Sequence, residues 1–149
     1  MSPASRNDTL IEKPPSAEMQ RLWFATLKKE WRSLAVMPSH PHGSAADIAR
    51  ALAQVGKMQN DADVKLISAL GIDMAAATRL IIDVTGHTAH GGWAIVLLDS
   101  VISNPSGIPL AMAADAALLC VELQKADIES GRRTLELIGE NKFVGAVAH

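Results

Sequence analysis

The chain has 149 residues, of which 48% are hydrophobic and 20% charged, and its net charge is −2. This composition predicts one folded domain, and the interspersed charges exclude the broad basic surface that binds nucleic acid. No apolar run is long enough to cross a bilayer, and residues 1–15 lack the apolar centre of a signal peptide, so we expect a cytoplasmic protein.

Residues 1–17 are rich in polar residues and proline and predict a flexible tail, which leaves 18–149 as the domain. Ser16 has the residue type of an N-cap, and the apolar spacing after it predicts a helix to about Trp31. The short apolar run 33–37, closed by Pro38, predicts a buried strand.

The rest of the domain alternates between short apolar runs, typical of buried strands, and apolar residues at helical spacing. It predicts a helix over 45–55 ended by Gly56, a strand over 64–68, a helix capped by Asp73 to about Ile82, and a strand over 93–98. These are followed by a short helix near 109–114, a strand over 117–121, a helix over 126–138 and a strand over 143–148. The run 80–84 fits a strand as well as a helix.

Strands of five or six residues separated by helices indicate right-handed crossovers. The predicted fold class is therefore α/β, a P-loop NTPase-like three-layer sandwich with a mostly parallel sheet of about five strands. Ligands of such sheets lie at the carboxyl ends of the strands, which singles out the loops 38–44, 69–73 and 99–107.

The first of these loops is the candidate phosphate loop. A working one needs glycines for close backbone approach, a lysine for the phosphate charge and a Ser or Thr for magnesium. This loop has one glycine and no lysine. Its candidate positions are Ser39, His40, Pro41, His42, Gly43 and Ser44. Asp99, after four apolar residues, has the form of a Walker B carboxylate, although a loop cap explains it equally well.

The second half of the chain resembles a known family. The stretches 94–99, 109–121, 132–138 and 144–147 together are similar to the bacterial tyrosine kinases of exopolysaccharide synthesis. Those kinases belong to the deviant P-loop ATPases, with the septum-site and partition ATPases. Glu18 and Arg21 also match the start of the Glu-x-x-Arg-x-x-Arg helix through which such kinases form rings, while Phe24 departs from that motif.

The positions at which this chain departs from the family pattern are those that the family uses for catalysis. The lysine of the phosphate loop is missing, residues 66–70 lack the metal-binding carboxylates of the second strand, and the chain contains no tyrosine to be phosphorylated. Because phosphoryl transfer depends on positioned charge, we expect no catalysis and no cofactor.

The resemblance then implies an accessory or regulatory domain of polysaccharide synthesis or export. Its expected partner is a membrane-embedded chain-length or export protein at the inner face of the cytoplasmic membrane, bound through Glu18, Arg21 and Trp23, with a homo-oligomer as a further expectation. The alternatives are a nucleotide binder that uses ATP and magnesium through Asp99, Ser44 and Ser39, and a relative of the partition or septum positioning ATPases.

The histidines offer a rival hypothesis. His40, His42, His87 and His90 all lie in predicted loops, and two pairs converging on a transition metal would make a site. Solvated loop histidines are the interpretation that we favour, and we expect no metal.

Three further features have simple structural interpretations. Cys120 lies in an apolar run and predicts a buried, inert thiol. Trp23 and Trp31, eight residues apart on the predicted first helix, favour packing against the sheet over a partner surface. Arg132 and Arg133 are expected on a solvated helical face.

Overall fold

A computed structural model describes residues 16–60 and 63–149, without the side chain of Asn60. Across these two ranges, no helix combines the length and the apolar composition needed to cross a bilayer. The elements are α1 (Ala17–Thr26), β1 (Ser33–Pro38), α2 (Ala46–Asn60), β2 (Val64–Ala69), α3 (Met74–Ala89), β3 (Trp93–Leu98), a 3₁₀ turn (Pro105–Gly107), α4 (Ile108–Ala113), β4 (Ala116–Val121), α5 (Ile128–Ile138), a second 3₁₀ turn (Glu140–Lys142) and β5 (Phe143–Ala148).

The five strands form one parallel sheet in the order β2-β3-β1-β4-β5. Helices α1 and α2 pack on one face of this sheet, and α3, α4 and α5 pack on the other. The molecule is therefore an α/β three-layer sandwich of the P-loop NTPase-like kind, which confirms the predicted fold class. The tail predicted over 1–17 lies outside the described residues, apart from Ser16 and Ala17.

Strand β1 is the centre of the core, and all six of its residues are buried. Leu34 and Val36 contact the helices of one face, while Ala35 and Met37 contact those of the other. This division follows from the two-residue period of a strand, because successive side chains point to opposite faces. A strand buried on both faces reads as a continuous apolar run, which is why the sequence predicts it well.

Helix α1 begins as predicted but ends earlier. The Ser16 hydroxyl accepts the Met19 N–H at 3.1 Å, as an N-cap does. The predicted end at Trp31 is wrong, since the helix stops at Thr26 and the Trp31 indole N–H donates to the Thr26 carbonyl at 3.1 Å. The side chain of a residue just after the helix thus satisfies a carbonyl that a longer helix would have bonded internally.

The three tryptophans form one cluster at this end of the fold. Trp23 and Trp31 meet edge to face with ring centroids 5.5 Å apart, and Trp31 meets Trp93 in the same way at 4.9 Å. Trp23 is fully buried and Trp31 is 4% exposed. The interpretation of Trp23 and Trp31 as packing residues is confirmed, although they share no helix.

Helix α2 extends beyond the predicted stop. Gly56 was expected to end it near Val55, but the helix continues to Asn60. The structure gives this glycine a different reason, because a Cβ there would lie 2.8 Å from Cη2 of Trp23. Gly56 is therefore a notch that receives the indole ring.

Residues 80–84, for which the sequence allows either a strand or a helix, lie within α3. These residues are helical, and the strand alternative is wrong. Asp73 caps the helix as predicted, accepting the Ala76 N–H at 2.8 Å. The helix runs to Ala89 rather than to Ile82, so the loop placement of His87 is also wrong, whereas His90 lies in the turn after the helix. The other predicted bounds lie within two residues of the observed ones.

The Gly56 notch makes a prediction about stability. Replacing Gly56 by Ala should lower the free energy of unfolding by about 1 kcal/mol, because overpacking against a buried indole outweighs the better helix propensity. Chemical denaturation measures this change. The matched control is Gly86→Ala in α3, where a Cβ would meet nothing within 4 Å, and which should stabilise by about 0.5 to 1 kcal/mol. Equal stabilisation by both substitutions would contradict the notch.

Candidate functional site

The loops after β1, β2 and β3 meet at the carboxyl edge of the sheet, as the sequence predicts. The Ser103 hydroxyl donates to the Pro41 carbonyl at 3.1 Å, which ties the third loop to the first. The Asn104 side-chain amide donates to the Ile72 carbonyl at 3.1 Å, which ties the third loop to the second. Direct hydrogen bonds therefore hold the candidate ligand-binding edge together.

Asp99 belongs to this network rather than to a free metal site. Its carboxylate accepts the Gly71 N–H at 2.7 Å. Gly71 has a φ of 67°, a conformation that favours glycine, and it forms the turn between β2 and α3. Asp99 thus fixes a neighbouring loop, a role that neither the Walker B interpretation nor a cap of its own loop anticipates.

The loop after β1, residues 39–44 and called the β1 loop below, contains a tight turn. The Gly43 N–H donates to the His40 carbonyl at 3.0 Å, with Pro41 and His42 at the two central positions. The Ser44 hydroxyl then accepts the N–H of Ala46, the first residue of α2, at 3.2 Å. A Cβ on Gly43 would lie 2.6 Å from Cε1 of His40. The single glycine of this loop is therefore needed to seat the imidazole.

A carboxylate that follows β4, a neighbour of β1 in the sheet, forms a hydrogen bond with the β1 loop. Glu122 directly follows β4, and its Oε1 accepts the Ser44 N–H at 2.8 Å. Its Oε1 lies 3.9 Å from Nε2 of His40, and its Oε2 lies 3.7 Å from Nζ of Lys125. The Ser44 hydrogen bond, followed by the nearby positive groups, lowers the pKa of Glu122. The backbone donor that a phosphate loop would offer to a ligand is thus bonded within the chain.

Two buried side chains of the β1 loop lack hydrogen-bond partners. His40 is 6% exposed and Ser39 is 1% exposed. Neither ring nitrogen of His40 nor the Ser39 hydroxyl has a partner within the described residues. His40 keeps its predicted place at the carboxyl end of a strand but is not solvated, whereas His42 is exposed. Buried polar atoms of this kind call for an explanation, because leaving one unpaired costs stability.

The two histidine pairs do not converge. The His87 Nε2 lies 3.1 Å from the carbonyl oxygens of both Asp63 and Trp93, at the amino edge of the sheet. His40 lies at the opposite edge, about 20 Å away along a six-residue strand. The hypothesis of a metal site shared by the loops is wrong. In residues 16–60 and 63–149, no group of three or more His, Cys, Asp or Glu side chains is arranged to hold a metal.

Helix α1 exposes Glu18 and Arg21 but buries Trp23. Glu18 and Arg21 are exposed and border a groove of about 450 Å³, whose floor includes Leu22, Ile48 and Val147. Trp23 is fully buried, so its inclusion in a partner surface is wrong. Only Glu18 and Arg21, of the three predicted residues, remain accessible to a partner.

Sequence reasoning missed Glu122 and its neighbour Asp127. Asp127 caps α5 by accepting the Ser130 N–H at 2.7 Å, and this bond lowers the pKa of Asp127. The loop after β4 was not among the three loops singled out, although a carboxylate directly after a buried strand was the available signal. On α5 itself, Arg132 pairs with Glu129 and Glu136 on an exposed face, in agreement with the expected solvated helix.

Comparison with known proteins adds no relative. No protein-family model matches this chain, and no curated protein matches it in sequence. The resemblance to the exopolysaccharide kinases therefore rests on the quoted stretches of sequence alone.

Cys120 allows a direct test of the packing next to the site. It is fully buried, and its carbonyl accepts the Ser39 N–H at 2.9 Å. Burial raises the pKa of the thiol from 9.0 to about 12. Because the thiolate is the reactive form, native protein at pH 8 should react with a disulfide reagent at least about a hundredfold more slowly than the protein in urea. Absorbance of the released thiol measures both rates, and similar rates would contradict the buried position.

Proposed function

We propose that this chain is a non-catalytic, P-loop NTPase-like domain that acts by binding, as an accessory or regulatory protein of bacterial exopolysaccharide synthesis or export. The observation that carries the proposal is that the β1 loop is closed, which means that its backbone donor at Ser44 is already bonded within the chain. The loop has no lysine, and its Ser44 N–H is bonded to Glu122. A polyphosphate needs both an ammonium group and free backbone donors at this position.

Two other positions support a role without catalysis. Asp99, the one carboxylate suited to a metal after β3, is bonded to the Gly71 N–H. Strand β2 ends in Ser68 and Ala69 and supplies no carboxylate. The alternative of a nucleotide binder would have to break the Asp99 and Glu122 contacts before it could bind magnesium and phosphate. The positioning-ATPase alternative faces the same obstacle.

The proposed partner is a membrane-embedded polysaccharide chain-length or export protein, as the family resemblance implies. Docking would place the domain at the inner face of the cytoplasmic membrane. The proposed surface is the exposed pair Glu18 and Arg21 with the apolar groove beside it. Charged rims around apolar grooves are typical of protein interfaces, because the groove supplies buried area and the rim supplies specificity.

The proposal predicts that the protein does not bind nucleotide. Isothermal titration of the purified protein with ATP and magnesium should give no binding heat, and a phosphate-release assay should show no hydrolysis above buffer. A stoichiometric isotherm with micromolar affinity would overturn the proposal and favour the nucleotide-binding alternative.

The docking surface is tested separately. Wild-type protein should capture a polysaccharide chain-length or export protein from detergent-solubilised membranes of the source bacterium, identified by mass spectrometry. The Glu18→Ala/Arg21→Ala double variant should lose at least about tenfold of this capture, since both charges leave the rim. The control is Arg79→Ala/Asp83→Ala, which removes an exposed pair from α3 on the opposite face.

Two results would count against this surface. One is equal capture by the wild type and the Glu18/Arg21 variant. The other is a failure to capture any such membrane protein, together with a monomer in light scattering at every concentration tested.

A further inference from the structure

The carboxylate of Glu122 lies where three donors of different kinds converge. Its Oε1 is 2.8 Å from the Ser44 nitrogen and 3.9 Å from Nε2 of His40. Its Oε2 is 3.7 Å from Nζ of Lys125. A backbone N–H, an imidazole and an ammonium group around one point form an environment suited to an anion.

The missing hydrogen bonds of His40 indicate that the Glu122 carboxylate does not satisfy every polar group around it. The ring is more than nine-tenths buried beneath Gly43, yet neither nitrogen has a hydrogen-bond partner. The distance of 3.9 Å to Glu122 is too long for a hydrogen bond. A planar carboxylate that is tied to Ser44 therefore leaves the buried imidazole without a hydrogen bond. A tetrahedral oxyanion has four oxygens and can reach several donors at once.

We propose that the β1 loop is an oxyanion site that this chain keeps occupied with its own Glu122 side chain. With that carboxylate removed, a phosphate-like tetrahedral oxyanion binds the Ser44 N–H, Nε2 of His40 and Nζ of Lys125. The start of the fifteen-residue helix α2 directly after the loop adds its favourable dipole. This inference is independent of the proposed partner, because it concerns only groups within the chain.

The ionisation of Glu122 agrees with its role as an internal anion. Its pKa lies below the ordinary value of 4.5, chiefly because of the Ser44 N–H. The carboxylate is therefore charged at neutral pH and competes with any external anion. Protonation would release it only in acid, at a pH below that ordinary value.

The test uses the full chain, inorganic phosphate as the probe, and sodium chloride of equal ionic strength as the reference. Glu122→Ala empties the site, and Glu129→Ala removes an equivalent charge from the exposed face of α5. The double variant Glu122→Ala/His40→Ala removes the buried imidazole as well. The readouts are the amide chemical shift of Ser44 in two-dimensional NMR spectra and the melting temperature.

In Glu122→Ala, the Ser44 amide should shift saturably with phosphate. Phosphate at about twenty times its dissociation constant should raise the melting temperature by about 5 °C relative to chloride. Wild type and Glu129→Ala should show only the smaller general effect of phosphate on protein stability. Affinity should fall at least about tenfold in the double variant. A parallel titration with ADP distinguishes a nucleotide phosphate from a free oxyanion, according to which ligand shifts Ser44 at the lower concentration.

The proposal is overturned if the Ser44 amide of Glu122→Ala does not respond to phosphate, or if wild type responds equally. If Glu122→Ala is unfolded in chloride, refolding by phosphate supports the site only where Glu122→Ala/His40→Ala stays unfolded at the same phosphate concentration. The same titration is then run on Glu122→Gln, which keeps an acceptor for Ser44 without the charge. Failure of phosphate to refold Glu122→Ala, together with no response of Ser44 in Glu122→Gln, would reject the site. Neither result affects the capture experiment at Glu18 and Arg21.

Discussion

The central position of β1 determines how the rest of the molecule is arranged. This strand has a hydrogen-bonded neighbour on each side and a layer of helices on each face. The loop that follows its carboxyl end therefore lies next to the loops that follow the neighbouring strands. The turn at Pro41 is held by Ser103 from the loop after β3, and Ser44 is held by Glu122 from the loop after β4. In open parallel sheets, the loops at the carboxyl ends of the strands form a crevice that binds ligands. In this chain, side chains from those loops occupy the crevice.

Rings packed against glycines recur throughout this fold. Gly56 receives the Trp23 indole, Gly43 receives the His40 imidazole, and a Cβ on Gly92 would lie 2.4 Å from Nε2 of His87. In each case the glycine lacks a side chain because a ring from elsewhere in the chain fills the space. These contacts join α1 to α2, close the β1 loop and fasten the end of α3 to β3. Glycine therefore serves packing at all three positions.

The sequence predicts the layers of this fold better than it predicts the site. Apolar runs such as 93–98 are buried on both faces, so their composition alone predicts a strand, and Asp73 indicates its helix start through local chemistry. The errors arise where distant residues decide the outcome. Gly56 lies inside α2, where Trp23 from another helix packs against it. Glu122 lies 78 residues from Ser44 in sequence, and no local pattern links them.

An internal carboxylate changes how the β1 loop responds to its surroundings. A group tethered in the same chain competes with external anions at an effective concentration in the millimolar range or higher, because its binding does not require a second molecule to be captured. Glu122 therefore raises the concentration of free phosphate that would be needed to displace it from the loop. Helix α2 begins just after this loop and packs against α1, which carries Glu18 and Arg21. Under the proposed function, the domain would present its docking surface constantly.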